Sequence, residues 1–134
     1  MTSCHILIVD DDPDDIDILC ASFQEIGVKD AHGVQSMQRA IELLESITDE
    51  INLPAIIITD LNMPRQNGYE LLKFIKASTR YKQIPVIVLS TSLSSNEIKK
   101  SLGLGALGYI PKPVLKEEYI NLAVKIKSMI KNDS

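Results

Sequence analysis

Short apolar runs alternate with amphipathic segments along this 134-residue chain. His5-Ile6-Leu7-Ile8-Val9, Ala55-Ile56-Ile57-Ile58-Thr59 and Val86-Ile87-Val88-Leu89 are nearly continuous in apolar residues, the pattern of strands buried on both faces. Residues 107–110 predict a further strand, and residues 31–34 a weaker second one, recognised mainly by what flanks it. Between them the apolar period lengthens to that of a helix. Asp12-Pro13 reads as an N-cap followed by proline at the first helical position, after which Ile16, Leu19, Cys20, Phe23 and Ile26 recur at helical spacing and Gly27 stops the helix. Ser36 caps a second helix with Met37, Ala40, Ile41 and Leu44 inward, and residues 69–77 predict a third with Leu71, Leu72 and Ile75 inward. The stretch around Asp49 and Glu50 is a loop, closed by Pro54; Pro85 opens the fourth strand. Ser94 and Glu97 stand at the spacing of a capping box, opening a short fourth helix that Gly103 ends. Ile98 and Leu102 are its clear apolar positions, so it is expected to be the least firmly held element. Tyr119, Leu122, Ala123, Ile126 and Ile130 stripe a last helix. Strands alternating with helices predict an α/β fold on a parallel sheet, because parallel neighbours need crossover connections, and those are right-handed.

The candidate chemistry lies at the carboxyl ends of the strands, where open α/β sheets place their ligands. Asp60 closes the third strand pattern, and the first ends in Asp10-Asp11-Asp12. Were those strands neighbours, at least three carboxylates would share one crevice. Such a cluster repels itself unless a hard cation occupies it, and its oxygen ligands suit Mg²⁺. Ser90-Thr91 closes the fourth strand, and a lysine able to balance the acids follows the fifth, in Tyr109-Ile110-Pro111-Lys112-Pro113.

In Asp10-Asp11, in Asp60 within Thr59-Asp60-Leu61-Asn62-Met63-Pro64, in Ser90 and in Lys112-Pro113, taken in that order and at those spacings, the chain resembles the receiver domains of two-component response regulators. The likeness runs from about Cys4 to Ile130. It implies a flavodoxin-like, doubly wound (βα)5 fold with strand order 2-1-3-4-5, and a single receiver domain over residues 1–134. It implies that Asp60 is the phosphoacceptor, that Asp11 and Asp60 bind Mg²⁺ through side chains and Asn62 through its carbonyl, and that Asp10 acts through a metal-bound water. Weak Mg²⁺ binding is expected, because few protein ligands leave several waters in place. Ser90 and Lys112 would assist the transfer, since a carboxylate attacks a phosphoryl group only if the charge on its oxygens is neutralised. The bond from Lys112 to Pro113 is expected to be cis, as is typical of receivers; Pro111 departs from their commonest pattern. Tyr109 matches the switch aromatic, which turns inward when the Ser90 hydroxyl is drawn to the phosphoryl group. The partners implied are a histidine kinase or histidine phosphotransfer protein as donor and a downstream protein target, with a second copy of the chain, in a homodimer, as a further occupant of the face expected to respond, roughly residues 92–102, 107–109 and 119–130. Arg80-Tyr81-Lys82-Gln83-Ile84-Pro85 and Ser90-Thr91-Ser92 look like the receivers that partner bacterial phytochromes and hybrid sensor kinases.

Composition narrows the field. A hydrophobic content of 45% in 134 residues is one domain's worth of core. The net charge of −4 and pI near 5.1 argue against nucleic-acid binding, and Lys125, Lys127 and Lys131 read as a solvated helix face. With no apolar run of about 18 residues and no signal-peptide pattern, no membrane span is expected and the chain reads as cytoplasmic. Cys4 and Cys20 lack disulfide or zinc spacing and are taken as reduced core residues. His5 and His32 read as ordinary strand or surface residues, and Gly68 as the permit for a tight turn before the third helix. Two rival functions use related parts. A haloacid-dehalogenase-type phosphatase needs a second Asp two places after the first, where this chain has Asn62. A pseudo-receiver would lack the complete acidic set. The expected activity is therefore that of a signalling domain that catalyses only its own phosphorylation and dephosphorylation.

Overall fold

The apolar runs form the inner strands of the sheet. In the computed structural model, which describes residues 5–61, 63, 68–92 and 94–130, they become β1 (Ile6–Val9), β3 (Ile56–Asp60) and β4 (Val86–Ser90), every residue of them buried. The weaker patterns form the edges, β2 (Ala31–Val34) and β5 (Gly108–Pro111), whose residues are partly exposed. All neighbours are parallel and the order is 2-1-3-4-5. The fold is thus the flavodoxin-like α/β sheet expected. Alternate residues of each strand feed two cores. Ile6, Ile8, Ile56, Ile58, Ile87 and Leu89 pack against α1 (Pro13–Glu25) and α5 (Lys116–Met129) through Leu19, Phe23, Leu122 and Ile126. Leu7, Val9, Ile57, Val86 and Val88 pack on the opposite face against α2 (Met37–Ser46) and α3 (Gly68–Ala77) through Leu44, Leu71, Leu72 and Ile75.

Local signals set most boundaries. Asp12 caps α1 by accepting from the Asp14 N–H at 2.9 Å, with Pro13 at N1, and Gly27 leaves the helix at φ +90°. Ser36 caps α2 through the Arg39 N–H. Residues 50–52 add one 3₁₀ turn inside the expected loop, and Arg80 then ties that region down by donating to the Leu44 and Ile47 carbonyls.

The short helix α4 (Ser95–Gly103) departs from expectation. Ser94 stands at the N-cap, but its side chain makes no cap bond, so the capping box is not formed. Glu97 instead turns inward beside Tyr69, one carboxylate oxygen buried without a hydrogen-bond partner among the described residues. Leu102 points out, 47% exposed; the buried position is Ser101. A helix whose apolar residue faces water while a hydroxyl faces the core gains little from burial, which agrees with its expected weak anchoring. Cys20 is free and half-buried, held by a contact from its thiol to the Ala31 carbonyl; Cys4 lies outside the described residues.

Candidate functional site

The chain end of β1 is turned inward by backbone bonds. The Asp10 N–H extends the β1/β2 ladder to the Val34 carbonyl at 3.1 Å, and the Asp10 carboxylate accepts from the Asp12 N–H at 3.0 Å. Asp10 is buried, and loss of water pushes its carboxyl up to about 6; Lys112 and the Asp12 N–H pull it down, and the charge of Asp60 adds to the rise. Asp60, on the adjacent strand, is 7% exposed.

Lys112 joins the two strand ends. Its ammonium lies 2.8 Å from Asp10, 2.8 Å from Asp15 and 3.5 Å from Asp60. Burial works against its charge, but the hydrogen bonds to Asp10 and Asp15 and the field of Asp10 and Asp60 outweigh that and raise its pKa. The expected cis bond is absent: among the described residues every peptide is trans, Lys112 to Pro113 included. The sheet aims the lysine instead. Pro111 pairs with Ser90 as the last rung of β4/β5, and the Lys112 N–H donates to the Ser90 carbonyl at 2.9 Å, which starts the side chain over the carboxyl edge.

Asp10, Asp11 and Asp60 can each offer an oxygen, all within 4.8 Å of one another. Asp11 is exposed while the other two are buried, so the cluster opens to water on one side. A set of hard oxygens with room for water fits Mg²⁺ better than a metal that demands a closed nitrogen or sulfur shell. Asn62, expected to add its carbonyl, lies outside the described residues.

Ser90 is fully buried and its hydroxyl oxygen accepts from the Ser92 N–H at 3.1 Å. Tyr109, half-buried on the α2/α3 side of β5, donates its hydroxyl to the Ser92 carbonyl at 2.8 Å. A path of two hydrogen bonds thus runs from Ser90 through Ser92 to β5.

One residue of this site was not singled out by the sequence, and another was read for a different role. Asp15 shares Lys112 with Asp10; the signal was its place three positions after the Asp12 cap, which puts it in the first turn over the strand end. Gly68 was read as permitting a turn, yet its φ is not positive, and it begins α3. Its need is for space: a Cβ there would meet the Asp60 carbonyl oxygen at 2.6 Å, while its N–H donates to Leu61 at 2.8 Å. Glycine lets α3 start against the backbone that carries Asp60.

Comparison with known proteins agrees with this geometry. The family model for the response regulator receiver domain matches residues 6–124. The chain is 37% identical over 122 residues to the two-component response regulator ORR5 of rice, covering 91% of this chain and 87% of that protein. It is 33% identical over 117 residues to the chemotaxis protein CheY1 of Helicobacter pylori, covering 84% and 91%. Among solved structures, the phosphorylated cyanobacterial phytochrome response regulator RcpA superposes with a TM-score of 0.84 at 28% identity, over 96% of this chain and 94% of that one. The chain therefore belongs to the response regulator receiver domains of two-component systems.

Proposed function

We propose that Asp60 accepts a phosphoryl group from a phosphohistidine of a histidine kinase or histidine phosphotransfer protein, with Mg²⁺ as cofactor. The observation that carries this reading is a buried Asp60 facing Lys112 and grouped with Asp10 and Asp11. An oxygen of Asp60 attacks phosphorus in line with the donor nitrogen; the phosphorus–nitrogen bond breaks and its electron pair returns to the donor imidazole. Lys112, held ready by Asp10 and Asp15, turns its charge to a phosphoryl oxygen, and the Ser90 hydroxyl donates to another. Asp10, Asp11 and Asp60, with Asn62, would hold Mg²⁺, which supplies charge neutralisation at the phosphoryl oxygens. Two places after Asp60 the sequence has Asn62, an amide and neither acid nor base, so the reading is a signalling domain whose only reactions are its own phosphorylation and dephosphorylation.

The output in this reading is a change of shape. Drawing Ser90 toward the new oxygens moves the Ser92 amide that its hydroxyl holds, and with it the carbonyl that receives Tyr109. Charge-assisted bonds of about 1.5–3 kcal/mol each suffice to shift such an equilibrium tenfold. The responsive face is α4, β5 and α5, where α4 is weakly anchored and Leu102, Leu107, Leu115 and Val124 are exposed. A sensor kinase, a downstream protein or a second copy of the chain would bind there, the whole of residues 1–134 acting as one receiver unit. The likeness to the phytochrome regulator supports a kinase of that class. No helix among the described residues is long and apolar enough to cross a membrane; a cytoplasmic role is part of the proposal and follows from the phosphohistidine donor it names.

Incubation with a small phosphodonor and Mg²⁺ tests the transfer by intact mass. A stable gain of one phosphoryl group is expected; steady phosphate release would indicate a phosphatase, and neither would indicate a pseudo-receiver. Backbone amide shifts with a beryllofluoride mimic test the switch. Changes confined to the loops around Asp11, Asp60 and Lys112 would leave a phosphate carrier without output.

A further inference from the structure

The opposite edge of the sheet gathers a second set of ligands. The β1/β2 register pairs Leu7 with His32 and Ile6 with Ala31, and the Ile6 N–H continues the ladder to the Asp30 carbonyl at 2.9 Å. His5 therefore stands opposite Asp30, and side chains two apart share a face, so His5, Asp30 and His32 emerge together at the amino end of the strands. His5 Nε2 lies 3.2 Å from His32 Nε2, and one ligand atom from each of the three residues lies within 4.8 Å of the others.

The tautomer of His5 is fixed by chemistry. Its Nδ1 lies 3.2 Å from the Asn52 carbonyl oxygen, which can only accept, so Nδ1 carries the hydrogen and the Nε2 of the neutral ring keeps its lone pair. A second ring nitrogen bonded to a backbone carbonyl is the usual support of a metal-binding histidine. The Nε2 to Nε2 separation is close to the edge of a tetrahedron of nitrogen ligands at 2.0–2.1 Å, about 3.3 Å. Without an ion the same separation is a hydrogen bond, and His32 must then hold its proton on Nε2.

We propose that His5, His32 and Asp30 form a binding site for a divalent transition-metal ion of the zinc class, distinct from the acidic cluster. Two imidazoles and one carboxylate suit zinc, nickel or copper, whereas Mg²⁺ prefers oxygens alone. The half-buried His5 and the exposed His32 and Asp30 leave a position open to water. The ion straps edge strand β2 to the start of β1, and because it binds the folded chain alone it raises thermal stability.

The test is calorimetric titration of the full chain with zinc chloride in excess Mg²⁺, which keeps the acidic cluster supplied with its own cation. One saturable equivalent is expected, copper binding tighter than zinc, with His32→Ala and His5→Ala each weakening zinc at least tenfold. Zinc should shift the Nε2 resonances of both rings and raise the unfolding midpoint of the wild type but not of His32→Ala. His32 is exposed on an edge strand, and circular dichroism is the check that its variant is folded; His32→Asn serves as a second variant of similar polarity. No saturable binding in excess Mg²⁺, or binding that both His32 variants leave unchanged, would overturn the site. Asp60→Asn should bind zinc like the wild type, so loss of phosphoryl transfer and loss of this site are told apart.

Discussion

At its carboxyl end β1 delivers Asp10 into a buried group with Asp60 and Lys112; at its amino end the same strand begins from His5, half-buried beside the exposed His32 and Asp30. Both ends bring three potential ligands within 4.8 Å, but their electrostatics are opposed. The carboxyl end concentrates negative charge where water is scarce, so it needs a lysine, and Asp10 is still pushed up to about 6 by burial. The amino end sets two imidazoles beside a single carboxylate near solvent, and partial burial, with the neighbouring His5, lowers the pKa of His32. The buried end is therefore poised for anion chemistry and hard cations, the open end for nitrogen coordination. One parallel sheet separates two chemistries by the length of a strand, and each end can be altered alone.

Removing the nucleophile breaks the comparison most completely. Asp60→Asn should abolish phosphoryl uptake by intact mass while the fold persists, since the amide keeps the shape but is no nucleophile; uptake equal to wild type would remove Asp60 from its role. Next comes the metal. Asp11→Ala should weaken Mg²⁺ by about tenfold, about 1.4 kcal/mol, in a fluorescence or calorimetric titration, because it removes one of few carboxylate ligands. An unchanged affinity would exclude Asp11 as a ligand. Gly68→Ala forces a Cβ against the Asp60 carbonyl, so urea denaturation should show a loss of about 1–3 kcal/mol, and phosphoryl uptake should slow. Zinc affinity at the amino end should be unaffected. A fully stable variant would mean that α3 shifts freely.

The smallest expected effect concerns the loop that carries Lys112 into α5. The Glu118 carboxylate accepts from the Leu115 and Val114 N–H groups, and these bonds lower its pKa. Because the folded carboxyl binds its proton less tightly than the unfolded one, the stabilisation is full above the unfolded value of 4.5 and fades as pH falls through the lower folded value. Denaturation of wild type and Glu118→Gln should differ most near neutral pH, and the gap should close in acid. A gap that persists in acid would assign the effect to packing.

The sequence by itself determined the five strands, the caps at Asp12 and Ser36, and the acids, serine and lysine at strand ends. These follow from local rules: unbroken apolar runs must be buried on both faces, and short polar side chains satisfy the open N–H groups of a helix start. It failed where the outcome depended on which distant groups compete for one atom or one space. Ser94 lost its cap bond while Glu97 turned toward Tyr69, and Leu102 faced water while Ser101 went in. Asp15 became a partner of Lys112 because the first turn of α1 hangs over the end of β5's chain, and Gly68 was needed because α3 starts against Asp60. His5 and His32 look unremarkable until the register of two strands sets them on one face. Spacing along a chain encodes hydrogen bonds and burial within a turn or a strand; the distance between residues 97 or 102 positions apart is set only when sheet order and helix packing are complete.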